Sequence, residues 1–326
     1  MAGNEATKDT SVFDAYILLS EPVQFHPSEI REALKEEFPA IDIRAGGMSA
    51  MLDKPCDTAD FITQPLYLGA DGADAQTATL IRLPGYGTWD PAQIPKAQRL
   101  FVPDLAERLS RNASYICISV GGAGAGSLTD RFRAAGLCSC IAAVFARLPV
   151  AVAAYWQTGD HFLTPEQVSE MADRAMRDDW PVDKWIGLNV MGDPELRQSG
   201  AMTRGLRYFT DYEISHASAP IPPGEAAAFT LSAATMARAY GSAFNDGDLL
   251  GNEGQSREES YRIRHVPKGT EGSICDVKLM VHPQNGADHE ALAGPIQSRP
   301  PPPGVDNRRV PPKGFFKRMI RGARAN

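Results

Sequence analysis

Clustered glycines, close-set aspartates and isolated histidines are the residues of this 326-residue chain whose types invite chemistry. The run from Gly121 to Ser127 reads GGAGAGS, after a β-rich segment and before a helical pattern. In that setting glycine lets backbone N–H groups approach a phosphate at a helix N-terminus. Gly122, Gly124, Gly126 and Ser127 are therefore the candidate cofactor-binding residues, for a phosphate or a nucleotide. A plain crossover loop is the competing reading, because the next strand ends in Tyr155-Trp156-Gln157 rather than in an acid, and no Walker lysine follows. Asp246 and Asp248 flank Gly247 and, joined by Glu213 and Glu253, would gather carboxylates for a hard cation. An Asp-Gly turn writes the same letters without a metal, and the EF-hand spacing is absent. The histidines, His26, His161, His216, His265, His282 and His289, nowhere approach HxxxH or HExxH, and no GxSxG occurs. No catalytic residue is assigned, no cofactor is expected, and the chain leans away from enzymes.

The elements that must position these residues follow from periodicity. Residues 13–19 (FDAYILL) are β-rich, and Pro27 suits the first turn of a helix with Ile30, Ala33, Leu34 and Phe38 at helical spacing. Short strands are expected at 41–44, 65–68 and 79–83, the last ending at the Pro84-Gly85 turn signal, and Pro103 opens a short helix carrying Leu105 and Leu109. SYICISV at 114–120 is a buried strand by its β-branched and aromatic content. A helix over 128–148 follows, with Ile141, Val144, Phe145 and Leu148 in phase, and VAVAAYW at 150–156 is again a strand. Thr164-Pro165-Glu166-Gln167 is a capping box for a helix with Val168, Met171, Ala172 and Ala175 on its buried side. Strands are expected at 184–191 and 206–214, a helix at 225–240 closed by Gly241, and strands at 261–266 and 276–281.

That order, strand-helix-strand-strand-helix-strand, can be read twice. It predicts an α+β protein of two tandem ferredoxin-like (βαββαβ) halves packed as one pseudo-symmetric body. The divisions expected are a flexible N-terminus at 1–12, a first half at 13–126, a connecting helix at 127–149, a second half at 150–282 and a disordered Pro-rich basic tail at 283–326.

Composition is ordinary for a globular chain, with 43% hydrophobic and 22% charged residues. The five cysteines, Cys56, Cys117, Cys138, Cys140 and Cys275, lack CxxC spacing and read as reduced, mostly buried thiols. No apolar run is long enough to span a bilayer, and MAGNEATKDTS lacks the basic and apolar regions of a signal peptide, so the expected compartment is the cytoplasm.

In the second half AAYWQTGDHFLTPEQ, WPVDKWIGLNV, RGLRYFTDYEI and AYGSAFNDGDLLG occur in order. Taken together, from Ala153 to Gly251, they resemble the bacterial domain-of-unknown-function family 4261. The points of likeness are Trp156, Gly159, the step from Pro181 to Trp185, Gly205-Leu206, Glu213 and Asn245-Asp246-Gly247-Asp248. The resemblance implies a bacterial cytosolic α+β domain and carries no reaction with it.

Charge separates body from tail. From residue 283 onward there are eight Lys or Arg against three Asp or Glu, a net of +5 in a chain of −7, which leaves −12 for residues 1–282. An acidic body argues against nucleic acid as a partner. In the tail Phe316, Met319 and Ile320 would share one side of a helix, with Lys317, Arg318 and Arg321 around it. Together with Phe315 they form a candidate contact for a partner groove or an anionic membrane surface. The function expected is a non-catalytic protein-binding module, for which toxin neutralisation (immunity) or a secretion-system adaptor role would fit. The alternative is a small-molecule enzyme or sensor that uses the groove between the halves and the loop at 121–127.

Overall fold

The computed structural model describes residues 12–39, 56–57, 64–67, 77–83, 94, 102–121, 128–193, 195, 197–240, 244–251, 256, 258–270, 274–283 and 285. The protein is mixed α+β, with two six-stranded sheets among the described residues, and it divides into two units, 1–185 and 186–326.

In the first unit the central strand is the first of the chain. Strand β1 (Phe13–Leu19) lies antiparallel between β6 (Ser114–Gly121) and β7 (Ala151–Trp156), with Phe13 opposite Val120 and Ala15 opposite Trp156. Beyond β6 come β5 (Thr77–Leu83) and β4 (Gln64–Tyr67); beyond β7 comes β8 (His161–Leu163). All these pairs are antiparallel. A separate ribbon pairs β2 (Gln24–Phe25) with β3 (Cys56–Asp57).

Helix α1 (Pro27–Glu37) starts where the backbone N–H of His26 donates to Glu29 at 2.7 Å, with proline in the first turn. Helix α2 (Leu105–Ser110) precedes β6, and α3 (Leu128–Ala146) joins β6 to β7. Both Cys138 and Cys140 are buried on α3, along with nearly every residue from Ala134 to Ala146. A helix apolar on all sides must be covered on all sides. Accordingly α3 packs on β1, β6 and β7 and is flanked by α1 and by α4 (Pro165–Met176). This explains a difference from expectation. The helix expected as the connector is enclosed within the first unit, and 150–156, expected to open the second half, supplies β7 to the first sheet. The unit ends only after α5 (Val182–Trp185).

A polar relay crosses this core. Trp156 Nε1 donates to the Trp185 carbonyl at 3.1 Å, Trp185 Nε1 to Ser139 Oγ at 2.8 Å, and Ser139 Oγ to the Ala135 carbonyl at 2.8 Å. The Thr164 cap forms as its letters predict: Gln167 N–H donates to Thr164 Oγ1 and Thr164 N–H to Gln167 Oε1.

The second unit runs β9 (Gly187–Asp193), β10 (Gln198–Arg204), α6 (Arg207–Thr210), β11 (Tyr212–Ala219), α7 (Pro223–Tyr240), β12 (Leu249–Leu250), β13 (Tyr261–Val266) and β14 (Asp276–Val281). Spatially the order is β12-β13-β14-β11-β10-β9. It amounts to two antiparallel meanders, β9-β10-β11 and β12-β13-β14, joined by α7 through a parallel β11–β14 pair. The strand order of the first sheet is not repeated. The expected strand at 206–214 is instead a short helical turn followed by β11, because Gly205 (φ 93°) and Asp211 (φ 69°) bend the chain into and out of α6. Helix α7 lies close on β9, β10 and β11 through a small-residue side, Ala226, Thr230, Ala233, Ala234 and Ala237, all fully buried.

Among the described residues no helix is long and apolar enough to cross a membrane.

Candidate functional site

Strand alternation sends Phe13, Ala15 and Ile17 of β1 toward α3, so Asp14, Tyr16 and Leu18 stand on the second face of the first sheet. In register, Asp14 lies opposite Ser119, Tyr16 opposite Cys117 and Tyr155, and Leu18 opposite Tyr115, while Tyr155 faces Phe162 on β8. Four rings therefore line up across four neighbouring strands. Tyr16 is 5.7 Å from Tyr115 and 6.1 Å from Tyr155, and Tyr155 is 5.0 Å from Phe162, centroid to centroid. One end of the row is core: Leu18, Val152, Ala153 and Phe162 pack with Val102, Leu105 and Leu109.

The other end is polar and half-buried. Ser119 Oγ donates to an Asp14 oxygen, and Tyr155 OH donates to Asp160 Oδ1 at 2.6 Å. Burial pushes the Asp14 pKa up, and the Ser119 hydroxyl bond partly offsets it. Burial also raises Tyr16, helped by neighbouring Cys117 and Asp14, and raises Tyr115. The Cys117 thiol is pushed up to about 11, by burial first and by the nearby Asp14 charge, against the lowering effect of its Tyr16 bond. A thiol so raised is no thiolate nucleophile near neutral pH. What the face offers is π surface, hydroxyl groups and carboxylates.

Strand β6 ends at Gly121, opposite Thr77. Gly122, Gly124, Gly126 and Ser127 begin one residue later and lie outside the described residues, as do Phe315, Phe316, Lys317, Arg318, Met319, Ile320 and Arg321 of the tail.

Asp246 and Asp248 are in the second unit, and both serve a turn. Asp246 Oδ1 accepts from the His265 N–H at 2.7 Å; Asp248 Oδ2 accepts from the Asn245 N–H at 2.6 Å and from its side-chain amide at 3.3 Å. Gly247 supplies the positive φ of 83°. Glu213 is elsewhere, buried against α6. It accepts from Thr203 Oγ1 at 2.6 Å and from the N–H groups of Gly205, Leu206 and Arg207 at 2.8, 3.2 and 3.4 Å. Burial raises its pKa, and these donors with the Arg207 charge pull it back. Among the described residues no three His, Cys, Asp or Glu side chains converge as a metal-ligand set.

A second cluster stands between β11, β13 and α7. His216 is fully buried, its Nδ1 is 2.7 Å from the Ala217 carbonyl, and its Nε2 has no hydrogen-bond partner among the described residues. Around it are Tyr261 at 5.1 Å, Phe229 at 6.0 Å and His282 at 6.5 Å, with Phe229 and Tyr261 stacked at 4.0 Å.

Sequence reasoning missed the tyrosine row and the His216 cluster. The row was present as alternation, Asp14-x-Tyr16 and Tyr115-x-Cys117-x-Ser119, but only the register shows that the polar sides of distant strands meet. No family model, curated protein or solved structure matches the chain.

Proposed function

We propose that the chain is a non-catalytic recognition protein whose first unit takes a basic segment of another protein on the second face of its sheet. The observation that carries this reading is the row Tyr115–Tyr16–Tyr155, half-buried and flanked by the carboxyl groups of Asp14 and Asp160. Tyrosine is enriched among residues that dominate interface energies, because it presents a large rigid surface with a polar tip. Its ring face attracts lysine and arginine, and carboxylates beside it add charge complementarity and select against acidic competitors. The formal −12 of residues 1–282 works in the same direction at longer range. Toxin neutralisation and a secretion-linked adaptor role are both uses of such a surface in the cytoplasm. A ferredoxin-like reading of the first unit is supported by the succession β1, α1, β5, β6, α3, β7 and by its spatial order β5-β6-β1-β7. The basic tail from residue 315 adds a second contact, to the same partner or to a membrane, and sedimentation with anionic liposomes before and after its deletion separates the two.

Co-purification from the native host is expected to return one stoichiometric basic protein. Tyr16→Ala together with Tyr155→Ala should weaken that complex about 30-fold or more, the effect of losing a hot-spot side chain. A monomer without partner across salt conditions, or a variant that binds as well as the parent, would sink the reading.

One observation favours a second reading. The Asp14–Ser119 pair stands at the end of β6, where the glycine-rich segment begins. A small-molecule sensor that uses this end predicts a raised melting temperature with a nucleotide or divalent cation. The rise should be absent in Asp14→Asn.

A further inference from the structure

The ring of His216 has the environment of an aromatic core residue and the chemistry of a base. It is fully buried and surrounded by Phe229 from α7, Tyr261 from β13 and His282 just after β14. In register it stands opposite Ala201 of β10 and Met280 of β14, and Gly200 lies against its carbonyl, where an added Cβ would come within 2.7 Å. With Nδ1 against the Ala217 carbonyl at 2.7 Å, the neutral ring carries its proton there and its lone pair on Nε2. That second nitrogen is buried and has no partner among the described residues. Phenylalanine would fill the same space without the cost of an unpaired acceptor.

Protonation would turn Nε2 into a donor that still has no acceptor, and would place a charge beside three rings. Of the titratable groups on the surrounding elements, His282 acts on His216 directly and disfavours its charged form. Glu225 of α7 acts on Tyr261, whose pKa is pushed up to about 12 by burial and then by that carboxylate. We propose that His216 is a proton-controlled lock on the second unit, holding β11 against α7 only while its imidazole is neutral.

The sign follows from linkage. Burial first, then the nearby His282, lower the His216 pKa below its unfolded value of about 6.5. The unfolded chain therefore takes up the proton first as pH falls. Stability tied to this group is complete above that value and declines as acid approaches the folded pKa.

Hydrogen exchange of the full chain, compared at about pH 8 and about pH 5 after correction for intrinsic rates, reads the lock directly. Peptides covering 212–219 and 223–240 should lose protection about 10-fold in acid, while those covering 13–19 and 114–121 keep theirs. His216→Phe should abolish the difference. If that variant fails to fold, the wild-type exchange map and the pH titration of the His216 ring by nuclear magnetic resonance still decide. Equal protection at both pH values would overturn the proposal, and so would acid loosening that persists in His216→Phe. Stabilisation by zinc or cobalt(II) that disappears with His216 would also overturn it, by giving the Nε2 lone pair to a metal.

Discussion

The two units differ in how a run of buried polar groups is partnered and in how their sheets are wired. In the first, sheet and helices are laced by a relay in which Trp156, Trp185 and Ser139 each find a partner. In the second, Glu213 collects four donors while His216, on the same strand, has a nitrogen with no partner among the described residues. Their connectivities differ as well. Strand β1 waits for partners about a hundred residues further along, whereas the second sheet grows by two local meanders closed by one parallel pair. Since contacts distant in sequence are slow to form, the first unit is expected to fold more slowly than the second. What the contrast teaches is that a saturated carboxylate and an unpartnered imidazole nitrogen can stand three residues apart on one strand: Glu213 takes four donors, while His216 Nε2 finds no partner among the described residues.

The largest expected effect is at the satisfied end of β11. Glu213→Ala strips acceptors from Thr203 Oγ1 and three backbone N–H groups and leaves a hole, so a loss of about 3–5 kcal/mol is expected. Glu213→Gln, which keeps one carbonyl oxygen, should lose less. All four tryptophans lie within residues 1–185, so fluorescence follows the first unit only. Denaturation of the second is therefore better followed by hydrogen exchange of peptides from 198–219. If Glu213→Ala cost no more than a surface substitution, the contrast drawn along β11 would fail.

Next come two glycines whose hydrogens face neighbours at short range. A Cβ on Gly159 would lie 2.6 Å from the His161 ring and 2.8 Å from the Trp185 carbonyl, and one on Gly200 would lie 2.7 Å from the His216 carbonyl. Alanine at either site should cost about 2–3 kcal/mol by overpacking against backbone that cannot yield. Gly224, with nothing near its added Cβ, is the internal control. Smaller again is Trp185→Phe, which removes the donor to Ser139 while Ser139 still donates to Ala135, for about 1 kcal/mol.

How much of this was legible in the letters varied by element. Residues 13–19, 114–120 and 150–156 declare themselves by β-branched and aromatic content, and Thr164 and Gln167 declare their cap. Each of these depends on neighbours in sequence. The spacing also placed a helix at 128–148, yet its role as a fully enclosed core element depends on which faces the sheet and α4 cover, which no spacing encodes. Residues 198–204 (QSGAMTR) look like a loop and are a central strand, β10, because β9 and β11 supply the pairing that their own propensities do not. The turn at 245–248 was correctly readable as Asp-Gly chemistry. The tyrosine row was not, since its members come from three strands and only register unites them.

The smallest effect is the one that best tests whether that row is there for binding. The Asp14 carboxyl has its pKa raised by burial, with the Ser119 bond opposing, so its folded value stands above its unfolded one. Stability tied to this group is complete below the unfolded pKa and is lost as pH rises through the folded one. Asparagine imitates the protonated form and keeps an acceptor for Ser119. Asp14→Asn should therefore stabilise the first unit at neutral pH by a few tenths of a kcal/mol, once solvent screening of this half-exposed group is allowed for, and by nothing at about pH 3. Tryptophan fluorescence during urea unfolding at the two pH values measures it. The same substitution should weaken capture of a basic partner, because it removes a charge from the end of the tyrosine row. A variant more stable than the parent and poorer at binding is what a carboxylate placed for recognition predicts; one with both properties unchanged would make Asp14 a bystander on a structural sheet face.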